Sequence, residues 1–421
     1  MKNKLENNYL LLGFVTLSLG FSQAQEDLSP IRALLQVNPE VKAARLRVKA
    51  QEEAVKTAGV LPDPKFEFTT AFAPVETRNG PIEDQLMLGQ KFPLWGKLSR
   101  QEKIAIKKQQ LAELNLLKTE LKVVNEFETD LAKWHRIRNS LTILDKYLNE
   151  LNSFRKIALS QYSTGKGLTQ HPILKLQIEQ TLIQTKTNNL QGDWETVNQS
   201  LNRLFDGQMD SIFIKNSRIR NLPEEPPDGW MLVAVKTNPG LLVSIVSEDI
   251  ATLKRELNEK MNYPDLTTGV TYTVVGPTEL NGAVSSGKDA LGVKLGINIP
   301  LWFKRNRARV ESARQMESST KEKTQDIKNR LDARIESISK DLDEINETIT
   351  LYEDRLIPEV EQMLSSAYAA YETGRISFLD LLDSERMSVN LQLEYERVKS
   401  KQLIVEANLN QTIGILESQE L

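Results

Sequence analysis

Apolar residues along this chain follow two periods, and the two alternate in blocks. Between Lys97 and Thr164 there is neither Gly nor Pro, and Leu111, Leu114, Leu117, Leu121, Val124 and Phe127 recur every three or four residues. That spacing lines one face of an α-helix. At about 1.5 Å per residue the stretch would be a rod about 100 Å long. Lys304 to Thr373 has the same character, interrupted only by Pro358, whose missing backbone donor predicts a kink or local break. Further helices are predicted from about Pro30 to Gly59, Pro172 to Phe205, Pro227 to Asn262 and Ile376 to Ile413. Helices much longer than about 25 residues point to coiled-coil or repeat packing.

Four segments, at about 65–73, 85–94, 267–275 and 291–301, alternate with period two instead. Leu291, Val293, Leu295, Ile297 and Ile299 share one face, with Gly292, Lys294, Gly296 and Asn298 on the other. Phe66, Phe68 and Phe72 oppose Glu67, Thr69 and Ala71; Leu86, Leu88 and Phe92 oppose Gln85, Met87, Gly89 and Lys91; Val270, Tyr272 and Val274 oppose Thr271 and Thr273. Segments of about 9–11 residues suit tilted membrane strands. A soluble sheet packed on one face gives the same alternation, but no amphipathic segment is left over to cover this one. Four strands cannot close a barrel, and lipid tolerates no open sheet edge. Membrane strands would therefore be pooled by several chains. Three chains would supply twelve strands, more than the eight whose side chains fill a barrel, and would leave a water-filled pore. The edges require oligomerisation without fixing its number.

The chain also repeats itself. Asn38-Pro39 recurs as Asn238-Pro239, and Pro64 as Pro264. Phe92-Pro93-Leu94-Trp95-Gly96-Lys97 recurs as Ile299-Pro300-Leu301-Trp302-Phe303-Lys304, and Tyr162-Ser163-Thr164-Gly165-Lys166 as Tyr371-Glu372-Thr373-Gly374-Arg375. Leu201-Asn202 with Gly207 recurs as Leu409-Asn410 with Gly414. Landmarks in one order define a duplicated unit of about 200 residues. The expected organisation is a leader over 1–24, a first repeat over 25–207, a connecting segment over 208–226 and a second repeat over 227–421. Hairpin tips fall at about 162–168 and 371–377. There Gly165-Lys166-Gly167 and Gly374-Arg375 stand where a long helix must reverse, and a glycine C-cap is expected.

Composition removes several function classes. Among 421 residues, 54 Lys and Arg stand against 57 Asp and Glu, for a formal net charge of −3, which is not the footprint of a nucleic-acid binder. No cysteine is present, which excludes disulfides, thiolate metal sites, a cysteine nucleophile and a lipid on an N-terminal cysteine. His135 and His171 are the only histidines and lack ligand spacing, so no metal site is expected. No phosphate-binding loop, dinucleotide fingerprint or nucleophile elbow is found; neither an enzyme nor a cofactor is expected. The charge-rich run from Glu317 to Lys340 reads as a solvated helix face. Lys2 and Lys4, the apolar run Tyr9–Phe21 and Ser22-Gln23-Ala24 read as a cleavable secretory signal. Past it, no stretch approaches the roughly 18 consecutive apolar residues of a spanning helix.

The order of these landmarks resembles the outer-membrane efflux protein family, the TolC-like outer membrane factors. Asn38-Pro39, Leu61-Pro62-Asp63-Pro64, Gln90 to Lys97, Tyr162 with Gly165, and Tyr371 to Gly374 leading into Asp380-Leu381-Leu382-Asp383 carry the resemblance. It implies a mostly α fold with a membrane β-barrel portion: a homotrimer with a twelve-stranded barrel in the outer membrane of a Gram-negative bacterium, whose long helical hairpins form an α-barrel tunnel through the periplasm. It further implies an exit duct that conducts passively, with a periplasmic adaptor and an inner-membrane pump as partners. Leu61 to Lys97, with Pro74 to Arg78 in its loop, is similar to members that work with heavy-metal resistance-nodulation-division pumps. Many relatives carry a lipidated cysteine; this chain's anchoring would rest on its barrel.

Asp380 and Asp383 lie three apart on one helix face, and a pair of solvated acids is the simplest account of them. By resemblance, six such carboxylates around a threefold axis form a constriction that attracts cations, with Tyr371 as a gate tyrosine; simple packing also explains Tyr371. His171 matches Asp380 in the first repeat, so the acidic feature belongs to the second hairpin. Gly165, Lys166, Gly167, Gly374 and Arg375 would then meet the adaptor and pump. A duct for drug export or type I protein secretion fits the same landmarks. A soluble periplasmic coiled-coil adaptor fits less well, because adaptors typically carry one hairpin flanked by β-rich modules.

Overall fold

The computed structural model describes residues 29–163, 170–208, 219–220, 222, 229–278 and 285–416. The leader at 1–24, the first tip at Gly165, Lys166 and Gly167, and most of the segment 208–226 lie outside the described residues. The chain opens with α1 (Ser29–Val37) and α2 (Pro39–Thr57), then β1 (Lys65–Thr77) and β2 (Gly80–Phe92), then α3 (Lys97–Ser163) and α4 (Gln170–Leu204). The second half repeats this order: α5 (Trp230–Thr237), α6 (Pro239–Lys260), β3 (Leu266–Val275), β4 (Ala290–Ile297), then α7 (Phe303–Leu351), a π-helical turn (Tyr352–Leu356), α8 (Ile357–Glu372) and α9 (Phe378–Ile413). The hairpin rods are long: α3 has 67 residues and α7 has 49.

Each helix expected to open a repeat is instead a pair, broken at the repeated Asn-Pro. Asn38 and Asn238 are extended, and a proline occupies the first turn that follows. The Asn38 side chain accepts hydrogen bonds from the N–H groups of Glu40 and Val41, and Asn238 accepts from that of Leu241. Both caps satisfy donors that a helix start leaves orphaned. The same side chains reach further. Asn38 Nδ2 donates to the carbonyl of Leu204 at 2.9 Å, and Asn238 Nδ2 donates to that of Thr412 at 2.7 Å. In both repeats, one asparagine therefore starts one helix and ties it to the C-terminal end of that repeat's last helix.

The π-turn lies just before Pro358, where the sequence predicts a break. The Ile357 N–H reaches back to the Tyr352 carbonyl, and the wider turn absorbs the proline that an α-helical ladder cannot accept. Tyr352 stacks on Tyr395 of α9 with ring centroids 5.8 Å apart, and the Tyr395 hydroxyl donates to Glu353.

The core is a row of clusters along the bundle. Leu34, Phe127, Leu131, Trp134 and Leu201 join α1, α3 and α4 in the first repeat. Trp230, Leu331, Ile335, Leu409 and Ile413 join α5, α7 and α9 in the second. Toward the second tip, Leu144, Tyr147, Leu151, Leu176, Phe378 and Leu382 pack α3 and α4 against α9, joining the two hairpins. The run from Glu317 to Lys340 is not wholly solvated. Glu317 is buried and takes Arg255 Nε at 2.6 Å, and Leu331, Ile335 and Ile338 face the core. Glu128 is fully buried and holds Arg220 by two bonds of 2.6 and 2.7 Å. Arg220 also donates to the carbonyls of Ile415 and Leu416, fastening the chain's last described turn.

All four strands pair antiparallel in the order β1-β2-β3-β4. The register puts Phe66, Leu88, Val270 and Val293 in one row across the sheet, with Phe68, Leu86, Tyr272 and Leu291 in the next. Directly opposed residues share a face, so these rows make that face almost wholly apolar. The other face carries Lys65, Gly89, Gly269 and Lys294, then Glu67, Met87, Thr271 and Gly292. Among the described residues no helix is packed over the apolar face: Val293 is 77% exposed, Leu291 75% and Phe66 68%. β4 ends at Ile297 rather than continuing to 301. The Asn298 side chain accepts from the Asp265 N–H, Pro300 offers no donor, and tight turns at Leu301 and Phe303 lead into α7.

At the foot of the sheet, Lys97 Nζ lies 2.5 Å from Asp265 and donates to the Tyr263 carbonyl at 2.8 Å. Trp95, in left-handed backbone at φ 66°, donates its indole N–H to the Pro264 carbonyl at 2.8 Å. The sharp Leu94-Trp95-Gly96-Lys97 turn thus fixes the sheet onto the helical rods.

Candidate functional site

The second tip is built by local backbone chemistry. Helix α8 stops at Gly374, whose φ of 71° is left-handed and strains any residue with a Cβ. The Arg375 N–H returns to the Ala370 carbonyl at 2.8 Å and the Gly374 N–H to the Tyr371 carbonyl at 3.0 Å, which is a Schellman stop. A Cβ at Gly374 would meet nothing within 4 Å, so the glycine serves the turn and not close packing. Ser377 then opens α9 with a capping box: its hydroxyl accepts from the Asp380 N–H, and the Asp380 carboxylate accepts from the Ser377 N–H at 2.9 Å.

Asp380 is exposed and also takes the Ser377 hydroxyl at 2.7 Å. The Ser377 hydroxyl and then its N–H hold the Asp380 carboxyl below its ordinary value. Asp383, also exposed, pairs with Arg386 at 3.1 Å. Tyr371 is half-buried and meets Phe378 edge-on, ring centroids 6.0 Å apart, while Phe378 meets Phe154 of α3 at 5.6 Å. Within one chain, Asp380, Asp383 and Tyr371 thus sit on one helical tip, but each has its own partner. Arg375 is exposed beside Gly374. Among the described residues, no group of three or more His, Cys, Asp or Glu side chains is placed to hold a metal ion. No single described helix is long and apolar enough to cross a membrane.

Periodicity-based reading passed over a cluster of acids inside the same end of the bundle. Glu179 of α4 and Glu385 of α9 are buried, and Glu150 of α3 is half-buried. The Tyr147 hydroxyl donates to Glu179 at 3.4 Å, and the Tyr368 hydroxyl donates to Glu385. Burial first, and then the charge of Glu385, push the Glu150 carboxyl above its ordinary value. Burial and the neighbouring carboxylates likewise raise the Tyr147 and Tyr368 hydroxyls. A signal was present: Glu385 falls at the apolar step between Leu382 and Val389, and Glu179 at the step between Leu176 and Ile183.

Comparison with known proteins bears on the whole chain. Residues 31–206 match the family model described as outer membrane efflux protein. The chain is 20% identical to the cobalt-zinc-cadmium resistance protein CzcC of Cupriavidus metallidurans over 384 residues, covering 90% of this chain and 87% of that one. Among solved structures, CusC superposes with a TM-score of 0.76 at 14% identity, covering 92% of both chains. The CmeC outer membrane channel of Campylobacter jejuni superposes with a TM-score of 0.75 at 14% identity, covering 98% of this chain and 94% of that one. The sequence likeness to that family lies in residues 31–206, and the chain as a whole shares the fold of these channel structures, with its helical rods and four-stranded sheet.

Proposed function

We propose that this chain, with the sequence of an outer membrane efflux protein in its first repeat and the fold of those channels throughout, is an outer-membrane exit duct. Three copies pool their sheets into a twelve-stranded barrel in the outer membrane, and their hairpins form a tunnel through the periplasm. The observation that carries this reading is the sheet register. Rows of Phe66, Leu88, Val270 and Val293 and of Phe68, Leu86, Tyr272 and Leu291 make one uncovered apolar face, suited to lipid, backed by a polar face suited to a water-filled lumen. The outer edges of β1 and β4 pair with no other strand among the described residues, and lipid requires that they be paired. The rods supply reach, since 67 residues of α3 extend about 100 Å.

Conduction is passive and needs no catalytic group. The tips at Gly165–Gly167 and at Gly374-Arg375 engage a periplasmic adaptor and, through it, an inner-membrane pump of the resistance-nodulation-division type. Asp380 and Asp383 from three chains ring the periplasmic mouth as six carboxylates, with Tyr371 beside them, and favour cations there. Heavy-metal cations are the proposed cargo, supported by the likeness to CzcC over 90% of the chain.

Planar-bilayer recording of the purified chain tests the duct and its gate together. Cation-favouring conductance blocked by trivalent cations is expected, and Asp380→Asn with Asp383→Asn should weaken that block about tenfold, about 1.4 kcal/mol. Unaltered block in the double variant contradicts the acidic ring, and absence of conductance contradicts the duct. For the cargo, a strain lacking the chain should become several-fold more sensitive to cobalt, zinc or cadmium. Sensitivity to dyes and antibiotics alone would assign the duct to drug export instead.

A further inference from the structure

We propose that Glu150, Glu179 and Glu385, gathered around Tyr147 and Tyr368, form a proton-binding site that couples ambient acidity to how tightly the second hairpin docks on the first. This role is separate from conduction and does not depend on it.

The site spans the seam between the hairpins. Glu150 and Tyr147 come from α3 and Glu179 from α4, in the first hairpin; Tyr368 comes from α8 and Glu385 from α9, in the second. They are set within the apolar cluster of Leu144, Leu151, Leu176, Phe378, Leu382 and Val389 that holds the hairpins together at the tip. Tyr147 is 1% exposed and Glu385 3%. Each tyrosine supplies one hydroxyl to one carboxylate, Tyr147 to Glu179 and Tyr368 to Glu385. The facing cations are few. Lys146 of α3 acts on Glu150, and Arg386 of α9 acts on Tyr147 while its guanidinium is committed to Asp383. None of the three glutamates forms an ion pair among the described residues. Three acids with two hydroxyl donors and no paired cation are short of positive charge, and a proton is the ligand that makes up the difference.

Glu150 is the group that takes it up. Burial penalises its anion, and the Glu385 charge across the seam penalises it further. A carboxyl raised in the folded state costs nothing below its unfolded value. Its cost grows as pH rises from that value to the raised one and is complete above it. The seam is therefore tightest in acid and loosens as the medium approaches neutrality, when Glu150 and Glu385 repel from opposite hairpins.

Amide hydrogen exchange of the full-length protein in detergent, corrected for intrinsic rates, tests this from the ordinary carboxylate range of about pH 4 up to about pH 8. Protection across 357–390 is expected to fall about tenfold as pH rises, about 1.4 kcal/mol. Glu150→Gln should remove the fall and leave the segment protected throughout; Glu385→Gln should shrink it, because burial alone still penalises the Glu150 anion. Glu372→Gln, an exposed acid on the same tip, should leave the wild-type titration intact. A pH-independent wild type, or a fall that survives in Glu150→Gln, overturns the proposal. Carboxyl carbon NMR of Glu150 is an independent readout: a midpoint above the ordinary carboxylate value supports the site and an ordinary one overturns it. Neither readout requires conduction, so this site and the duct can fail separately.

Discussion

Asp380 closes the capping box of α9 and, in the proposed trimer, stands in the acidic ring. The two roles separate by experiment. Ser377→Ala removes the cap hydroxyl but keeps the charge, and should destabilise the start of α9 by about 1 kcal/mol, read as faster exchange at 378–382, with trivalent-cation block retained. Because Ser377 holds the Asp380 carboxyl low, the stabilisation is full above the ordinary carboxylate value. It is lost as pH falls through the lowered one. At the other end, Glu128 is fully buried and relies on Arg220. Arg220→Met should cost about 3–5 kcal/mol by leaving a buried carboxylate unpaired, read as a lower thermal midpoint of the helical circular dichroism. Adding Glu128→Gln should recover part of it. The sequence could not reveal this pair, because 92 residues separate its members and neither lies in a motif.

At the scale of elements, local rules made much of the fold legible. Long runs without Gly or Pro marked α3 and α7, period-two alternation marked all four strands, and Gly374 marked a tip. What escaped were the ends and breaks, where side chains from distant segments decide. The repeated Asn-Pro was visible as a landmark, yet its work in binding Leu204 and Thr412 needs the folded bundle. Asn38→Ala and Asn238→Ala should each cost about 1–2 kcal/mol and quicken exchange at both the cap and the distant helix end. A purely local cap would affect the first alone. β4 stops early because Asn298 is drawn to Asp265, which no periodicity records. At Pro358 a break was readable; its form as a π-turn, secured by Tyr352 on Tyr395, was not. Pro358→Ala restores a backbone donor and should slow exchange over 352–358 if the proline maintains the turn. Unchanged exchange would place the cause in the tyrosine stack.

For the whole molecule, the apolar face of the sheet is a feature that one chain leaves uncovered. The buried faces of α3, α7 and α9, by contrast, were readable from spacing and lie in the rows of clusters. The sheet was readable as strands, but two outcomes shared that pattern, a covered soluble sheet and a lipid-facing one. The register favours the second, since among the described residues no helix covers the residues it aligns. The acidic site at the seam escaped notice for the opposite reason, as periodic patterns report apolar positions and pass over the acids set among them. Whether three sheets close on one another is measured most directly by native mass spectrometry of the mature protein released from detergent micelles. Three copies holding together, with loss of the trimer on heating, is the expected result. A monomer that remains soluble once detergent is removed would contradict the barrel, and with it the duct.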